Sequence, residues 1–244
     1  MTSPDLVGAG LILLAATLYS AVGHGGASGY LAVMVLIGTA PTEMRPAALV
    51  LNVFVASIAT MQFARAGHFR WALFLPFAVT SIPAAYLGGR IELPGTTYRV
   101  LVGVVLVLSA GRFLLSLRAE DTARRSPPLP IALAAGAALG FLAGLTGVGG
   151  GIFLSPLLIL TGWATIRATA ATSAAFILVN SVAGLAGQAS QLSDLPEPIG
   201  WWIVAAVAGG MIGARLGSGI LSSPALRRSL ALVLVLAGTK LILE

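Results

Sequence analysis

The chain has 244 residues, of which 57% are hydrophobic and only 9% charged, with a formal net charge of +6 and no cysteine. Soluble globular proteins carry roughly 25% charged residues, so this composition excludes an ordinary water-soluble globule. The missing cysteines exclude disulfides and thiolate metal sites, and no basic run with interleaved aromatics offers a nucleic-acid surface.

The start, Met1 to Asp5, has no lysine or arginine. A secretory signal wants a basic start, so the first segment is kept within the mature fold. Apolar segments are expected at 6–22, 29–37, 46–63, 71–91 and 97–117, then at 129–146, 152–161, 168–188, 199–220 and 225–243. In hydrocarbon each backbone polar group must be paired within its own segment, so these read as helices. The alternation of a transmembrane barrel is absent. The second and seventh segments are too short to cross, because a spanning helix needs about 20 residues. Residues 118–128 are charged and proline-bearing, and read as a basic cytoplasmic linker between a first transmembrane repeat, 1–117, and a second, 129–244.

The two halves match in order. Gly23-His24-Gly25-Gly26 aligns with Gly147-Val148-Gly149-Gly150, Arg45 with Arg167, Gly88-Gly89-Arg90-Ile91 with Gly213-Ala214-Arg215-Leu216, and Tyr98-Arg99 with Leu226-Arg227. If the chain turns back at each glycine motif, each half crosses an odd number of times and the repeats are inverted. With the linker inside, that arrangement puts Arg65, Arg70, Arg112, Arg118, Arg124, Arg125, Arg167, Arg215, Arg227 and Arg228 in the cytoplasm. Only Arg45, Arg90, Arg99 and Lys240 fall outside, with the acidic loop of Asp194 and Glu197. This agrees with the bias of basic residues toward the cytoplasm. The expected fold is therefore an all-α polytopic membrane protein of two inverted-topology repeats. Each repeat has a glycine-broken re-entrant or short helix pair plus three transmembrane helices.

The glycine motifs carry the functional signal. Glycine runs in mid-segment are poor helix, and irregular backbone at membrane depth is tolerated only where protein buries it or where it lines a cavity. Each run precedes a short apolar helix whose first N–H groups have no intrahelical partner. Glycine lets a ligand approach them, and the helix dipole favours an anion there. The expected anion donors are Gly25, Gly26, Gly149, Gly150 and Gly151, helped by Ser28, His24 and Thr146. A side chain at Gly150 is expected to crowd the ligand before it crowds the outer helices. Close helix packing by small residues is the plainer reading of the same glycines.

These motifs, with Ser155-Pro156-Leu157 after the second and Gly213-Ala214-Arg215-Leu216, resemble the sulfite exporter TauE/SafE family of anion transporters over nearly the whole chain. The resemblance implies a secondary transporter moving sulfite, an organosulfonate or a related small sulfur-containing anion across a bacterial inner membrane. The first copy departs from the pattern, with His24 in the middle position and Ala27-Ser28-Gly29 in place of the third glycine. The partners are then the lipid bilayer and the anion, with a proton, a sodium ion and a homo-oligomer all compatible. No cofactor and no metal site are expected.

Other polar residues have a functional and a plainer reading. Asn52 and Ser57, and Thr169, Thr172, Ser173, Asn180, Ser181 and Gln188, are candidates to line the pathway, with Thr172, Ser173 and Asn180 foremost. Their alternative is interhelical hydrogen bonding. His24 is placed to donate to the anion or to carry a coupling proton, or else to bond backbone that the glycines free. Trp71, Trp201 and Trp202 begin segments and read as interfacial anchors. An anion channel is the alternative function. Gly26-Ala27-Ser28-Gly29 also matches the Gly-x-Ser-Gly of rhomboid-like intramembrane proteases. That chemistry needs a histidine base on another helix, and the second copy has Ile152 where the first has Ser28, so no enzyme is expected.

Overall fold

A computed structural model describes residues 3–21, 25–115, 125–217 and 224–243. Among the described residues the regular structure is helical. The helices are α1 (Ser3–Ala21), α2 (Ala27–Leu36), α3 (Pro41–Arg65), α4 (Trp71–Arg90) and α5 (Gly95–Leu115). They continue as α6 (Leu129–Thr146), α7 (Gly151–Leu160), α8 (Ile166–Gly187), α9 (Ile199–Gly217) and α10 (Pro224–Leu243), with a short 3-10 turn at Ala189–Asp194 before α9. Helices α3, α4, α6 and α8 are long and apolar enough to cross a membrane. Helices α2 and α7 have 10 residues each, about 15 Å of rise against a hydrocarbon core of about 30 Å.

The breaks between α1 and α2 and between α6 and α7 follow from the glycines. Gly26 at φ 89° and Gly150 at φ 77° are the residues immediately before α2 and α7. Both lie in the left-handed region, which side-chain-bearing residues rarely adopt. Gly147, at φ 81°, closes α6, and its N–H donates to the Ala143 carbonyl.

Helix packing exchanges between the halves. Helix α1 lies along α9, and its counterpart α6 lies along α4; α3 pairs with α8, and α5 with α10. A Cβ on Gly88 of α4 would fall on the Phe141 carbonyl of α6, and one on Gly213 of α9 would fall on the Thr17 carbonyl of α1. The same contact is thus made twice by the residues that the sequence repeat matches. Small residues let these backbones touch, the usual device where lipid removes a hydrophobic drive for helix association.

Of the four long apolar helices α8 is the most buried, with 61% of its apolar window buried against 33% for α6. Large apolar side chains such as Val79, Leu108, Leu160 and Val204 lie on the outside, a surface that water would not tolerate but lipid does. Trp71 and Trp201 are exposed, as anchors should be. Trp202 is not one: it is buried against α1, where a Cβ on Gly8 would stand 3.2 Å from its Nε1. Two tryptophans in a row on a helix face different ways, and only the first reaches the interface.

Candidate functional site

The two glycine motifs meet. Gly25, Gly26, Ala27 and Ser28 of the first and Val148 and Ile152 of the second border one cavity, closed by Tyr19 and Ile177. Its volume is about 10 Å³, room for roughly one water molecule. The first intrahelical bond of α2 runs from Tyr30 N to Gly26 O at 2.9 Å, and those of α7 run from Phe153 N and Leu154 N to Gly150 O, both at 3.1 Å. The N–H groups before them, at Ala27, Ser28, Gly29, Gly151 and Ile152, have no acceptor in their own helices. Two positive helix ends therefore border the same small space.

The central pair α3 and α8 forms the wall facing the motifs. A Cβ on Gly25 would stand 3.0 Å from Ile177 Cγ2 and 3.4 Å from Asn52 Oδ1. One on Gly149 would stand 2.8 Å from Ile177 Cγ2, 2.9 Å from Asn52 Nδ2 and 3.1 Å from Ser181 Oγ. Asn52 and Ser181 are fully buried, yet both amide atoms of Asn52 and the Ser181 hydroxyl lack a hydrogen-bond partner among the described residues. So do Thr172 Oγ1, Thr169 Oγ1 and Asn180 Oδ1 on α8. Each such atom costs about 1–3 kcal/mol when left unpaired, and native proteins keep few of them.

The expected site residues divide on this geometry. Gly25, Gly26 and Ser28 border the cavity, and Ser28 Oγ donates to Tyr19 Oη at 3.0 Å. Gly149 faces Asn52 and Ser181, and Gly151 packs on Ile177. Thr146 shapes the second loop: Oγ1 donates to Leu142 O at 2.7 Å and accepts from Val148 N at 3.3 Å. Thr172 has a free hydroxyl, whereas Asn180 spends its Nδ2 on Phe176 O at 2.8 Å. Ser173 is bonded to Ser155 Oγ at 2.8 Å, and Ser155 donates to Gly151 O at 2.9 Å. That chain ties α8 to the first turn of α7. His24 lies outside the described residues.

Gly150 corrects an expectation. A Cβ there would meet Phe176 Cε1 at 2.8 Å and Ala143 Cβ at 3.1 Å, on a backbone at φ 77°. A side chain would strain the backbone and strike α6 and α8.

Arg45 escaped the sequence reading as a site neighbour. The sequence alone places it as a charge at a segment end, yet α3 begins at Pro41 and Arg45 is buried. Its Nε donates to Gly144 O at 3.0 Å, Nη1 to Ile91 O at 2.8 Å, and Nη2 to Gly88 O and Gly89 O at 2.8 and 2.6 Å. One guanidinium thereby caps the C-terminal ends of α4 and α6, where the last carbonyls run short of helical partners and the dipole favours a cation, although Gly88 O also accepts from Ile91 N at 3.3 Å. Beside it, Tyr98 Oη donates to Thr146 O at 3.1 Å, and a Cβ on Gly147 would stand 3.1 Å from Arg45 O. Arg45 and Tyr98 also line a 230 Å³ pocket with Thr42, Glu92 and Asp194. The signal in the sequence was the pairing of Arg45 with Arg167, but that partner is exposed.

Comparison with known proteins agrees with this architecture. The profile of the family described as Sulfite exporter TauE/SafE matches residues 8–241. A probable membrane transporter protein of Sinorhizobium fredii is 42% identical over 231 residues, covering 93% of this chain and 94% of the relative. A probable membrane transporter protein of Methanocaldococcus jannaschii is 27% identical over 137 residues, 54% of this chain and 51% of that protein. No solved structure matches. A multi-pass helical chain with two glycine-broken helices, matched from residue 8 to residue 241, belongs to the sulfite exporter TauE/SafE family of membrane transporters.

Proposed function

We propose that this protein is a secondary transporter that carries sulfite, or a related small sulfur-containing or organosulfonate anion, across a bacterial inner membrane by alternating access. The convergence of both glycine motifs on one cavity carries the reading. An anion at membrane depth has lost its hydration and needs donors. Helix-start N–H groups from the two halves supply them, and Asn52 and Ser181 add unpartnered polar atoms opposite. The substrate site comprises Gly25, Gly26, Ser28, Thr146, Gly149 and Gly151, with Thr172 and Asn180 along α8 and His24 of the first motif. Gly150 and Ser173 hold the second motif in shape.

Two inverted repeats, 1–117 and 129–244, joined by the cytoplasmic linker 118–128, are the machinery of this reading. The exchanged packing of α1 on α9 and α6 on α4 supports it, as does the bias of Arg65, Arg70, Arg118, Arg124, Arg125 and Arg228, which have no counterpart in the other half, toward the linker's side. A broken helix from each repeat meeting at one central site is the arrangement that lets the halves rock about a fixed ligand. The cavity, with room for about one water, must widen to admit an anion of several heavy atoms.

Purified protein in proteoliposomes tests the reading. Uptake of labelled sulfite is expected to saturate, to be accelerated by unlabelled sulfite inside, and to be inhibited by sulfonates more than by chloride. Uptake without acceleration from the far side would favour a channel. Indifference to every sulfur oxyanion among sulfite, sulfate, thiosulfate and small sulfonates would defeat the substrate assignment.

A further inference from the structure

We infer that Asn52 selects a monoanion that carries its own hydrogen-bond donor, so that the site takes hydrogensulfite in preference to fully deprotonated sulfite. The inference rests on the anion-site reading above and concerns which protonation state that site accepts.

Asn52 sits on α3 with no exposed surface, opposite both glycine motifs. Its Oδ1 faces the Gly25 side and its Nδ2 the Gly149 side, and neither has a partner among the described residues. A carboxamide offers two N–H donors and one carbonyl acceptor. If the amide is turned over, the two atoms exchange places but one donor and one acceptor still face the motifs. The donor suits an anion. The acceptor does not: a carbonyl dipole pointing its negative end at a bare oxyanion repels it, and the oxygen stays unpaired. A ligand bearing one O–H or S–H resolves both problems, because it gives a hydrogen to Oδ1 while its oxygens take hydrogens from Nδ2 and the helix starts.

Charge points the same way. The described residues bordering the cavity carry no ionised side chain. The nearby guanidinium of Arg45 is committed to four carbonyls. Partial charges at two helix ends suit one negative charge better than two. A protonated monoanion also carries its proton through the protein, so net proton movement accompanies transport without a titrating side chain.

The test compares hydrogensulfite with chlorate, a pyramidal monoanion of similar size that carries no proton. Binding to the purified full-length protein in detergent is measured by calorimetry, at a pH where hydrogensulfite dominates over the dianion. A site built to receive a ligand hydrogen rejects the analogue that lacks it, so the wild type should bind hydrogensulfite about tenfold or more tightly than chlorate. Asn52→Leu, of similar volume, should bring the two affinities together. Its unliganded melting temperature should not fall, since the change removes unpaired polar atoms from the interior. Equal affinities in the wild type, or a preference that survives in Asn52→Leu, would overturn the inference and leave the anion site standing. If neither ion binds the wild type, and sulfite at higher pH does not either, the anion site is lost and this inference with it. The wild-type comparison decides on its own should the leucine variant not fold.

Discussion

Arg45 Nε donates to the carbonyl of Gly144 across 3.0 Å, joining the start of α3 to the end of α6. The other guanidinium nitrogens close the end of α4 through Gly88, Gly89 and Ile91. Removing the side chain takes the charged donor from four carbonyls, of which Gly88 O keeps the Ile91 N–H at 3.3 Å while Gly89 O and Gly144 O are left in the interior. Arg45→Met is therefore expected to destabilise the protein by on the order of 2–4 kcal/mol, since hydrogen bonds to a charged group contribute about 1.5–3 kcal/mol each and are not additive. Arg167→Met, at the repeat-matched but exposed position, should change the melting temperature in detergent little. Equal losses from both variants would show that Arg45 is not a helix-end clamp.

The glycines of α6 make a second prediction. A Cβ on Gly136, Gly140 or Gly144 would fall on the backbone carbonyl of Phe77, Ser81 or Ala85 in α4. These positions recur every fourth residue along both helices, a seam of direct backbone contact. Gly140→Val should abolish folded protein in size-exclusion chromatography. Gly10→Ala meets nothing within 4 Å and should be neutral or stabilising, because alanine is the better helix former by about 1 kcal/mol. A folded, monodisperse Gly140→Val protein would mean that the two helices have room to part.

Which features the sequence revealed follows from what each residue signals locally. The bounds of α6 were legible to the residue, since prolines precede it and Gly147 ends it. The start of α3 was not: Thr42, Glu43 and Arg45 give no apolar signal, and Pro46 looked like a first residue although it lies within the helix. That error hid Arg45. The helix breaks at both glycine motifs were readable from the repeat. Asn52 and Ser181 were readable only as members of a pool of candidates, because a helix apolar on every side has no pattern that says which face looks inward. The partner that occupies Ser173 is Ser155 on another helix, which spacing alone does not reveal.

Topology gives a third prediction. Thr42, Glu92 and Asp194 line one pocket, so they lie on one face of the membrane. In the inverted arrangement that face is outside and the linker is inside. The chain has no cysteine to interfere. In intact cells a membrane-impermeant thiol reagent should label both Thr42→Cys and Asp194→Cys, and should reach Arg124→Cys only after the cells are opened. Labelling of Arg124→Cys from outside would reverse the orientation. Labelling of the C-terminus and the linker from the same side would refute inversion.

Gly25 is the position at which to separate binding from folding. Gly150 cannot do so, because its positive φ and its contact with Phe176 make any side chain a structural change. Gly25 borders the cavity, and a Cβ there would meet the ends of Ile177 at 3.0 and 3.1 Å and Asn52 Oδ1 at 3.4 Å. The neighbour that must give is a flexible side chain, not backbone. Gly25→Ala is thus expected to keep its melting temperature within a few degrees while filling space of about one water. Its affinity for sulfite should fall about tenfold, an effect of roughly 1.4 kcal/mol. Ile177→Val removes a methylene from the side chain that the new methyl presses on. The double variant should recover part of the lost affinity, a coupling that independent sites do not show. If Gly25→Ala binds sulfite as tightly as the wild type, the ligand does not lie between the first glycine motif and α8. If affinity falls and Ile177→Val restores none of it, the methyl acts elsewhere than in the space beside Ile177.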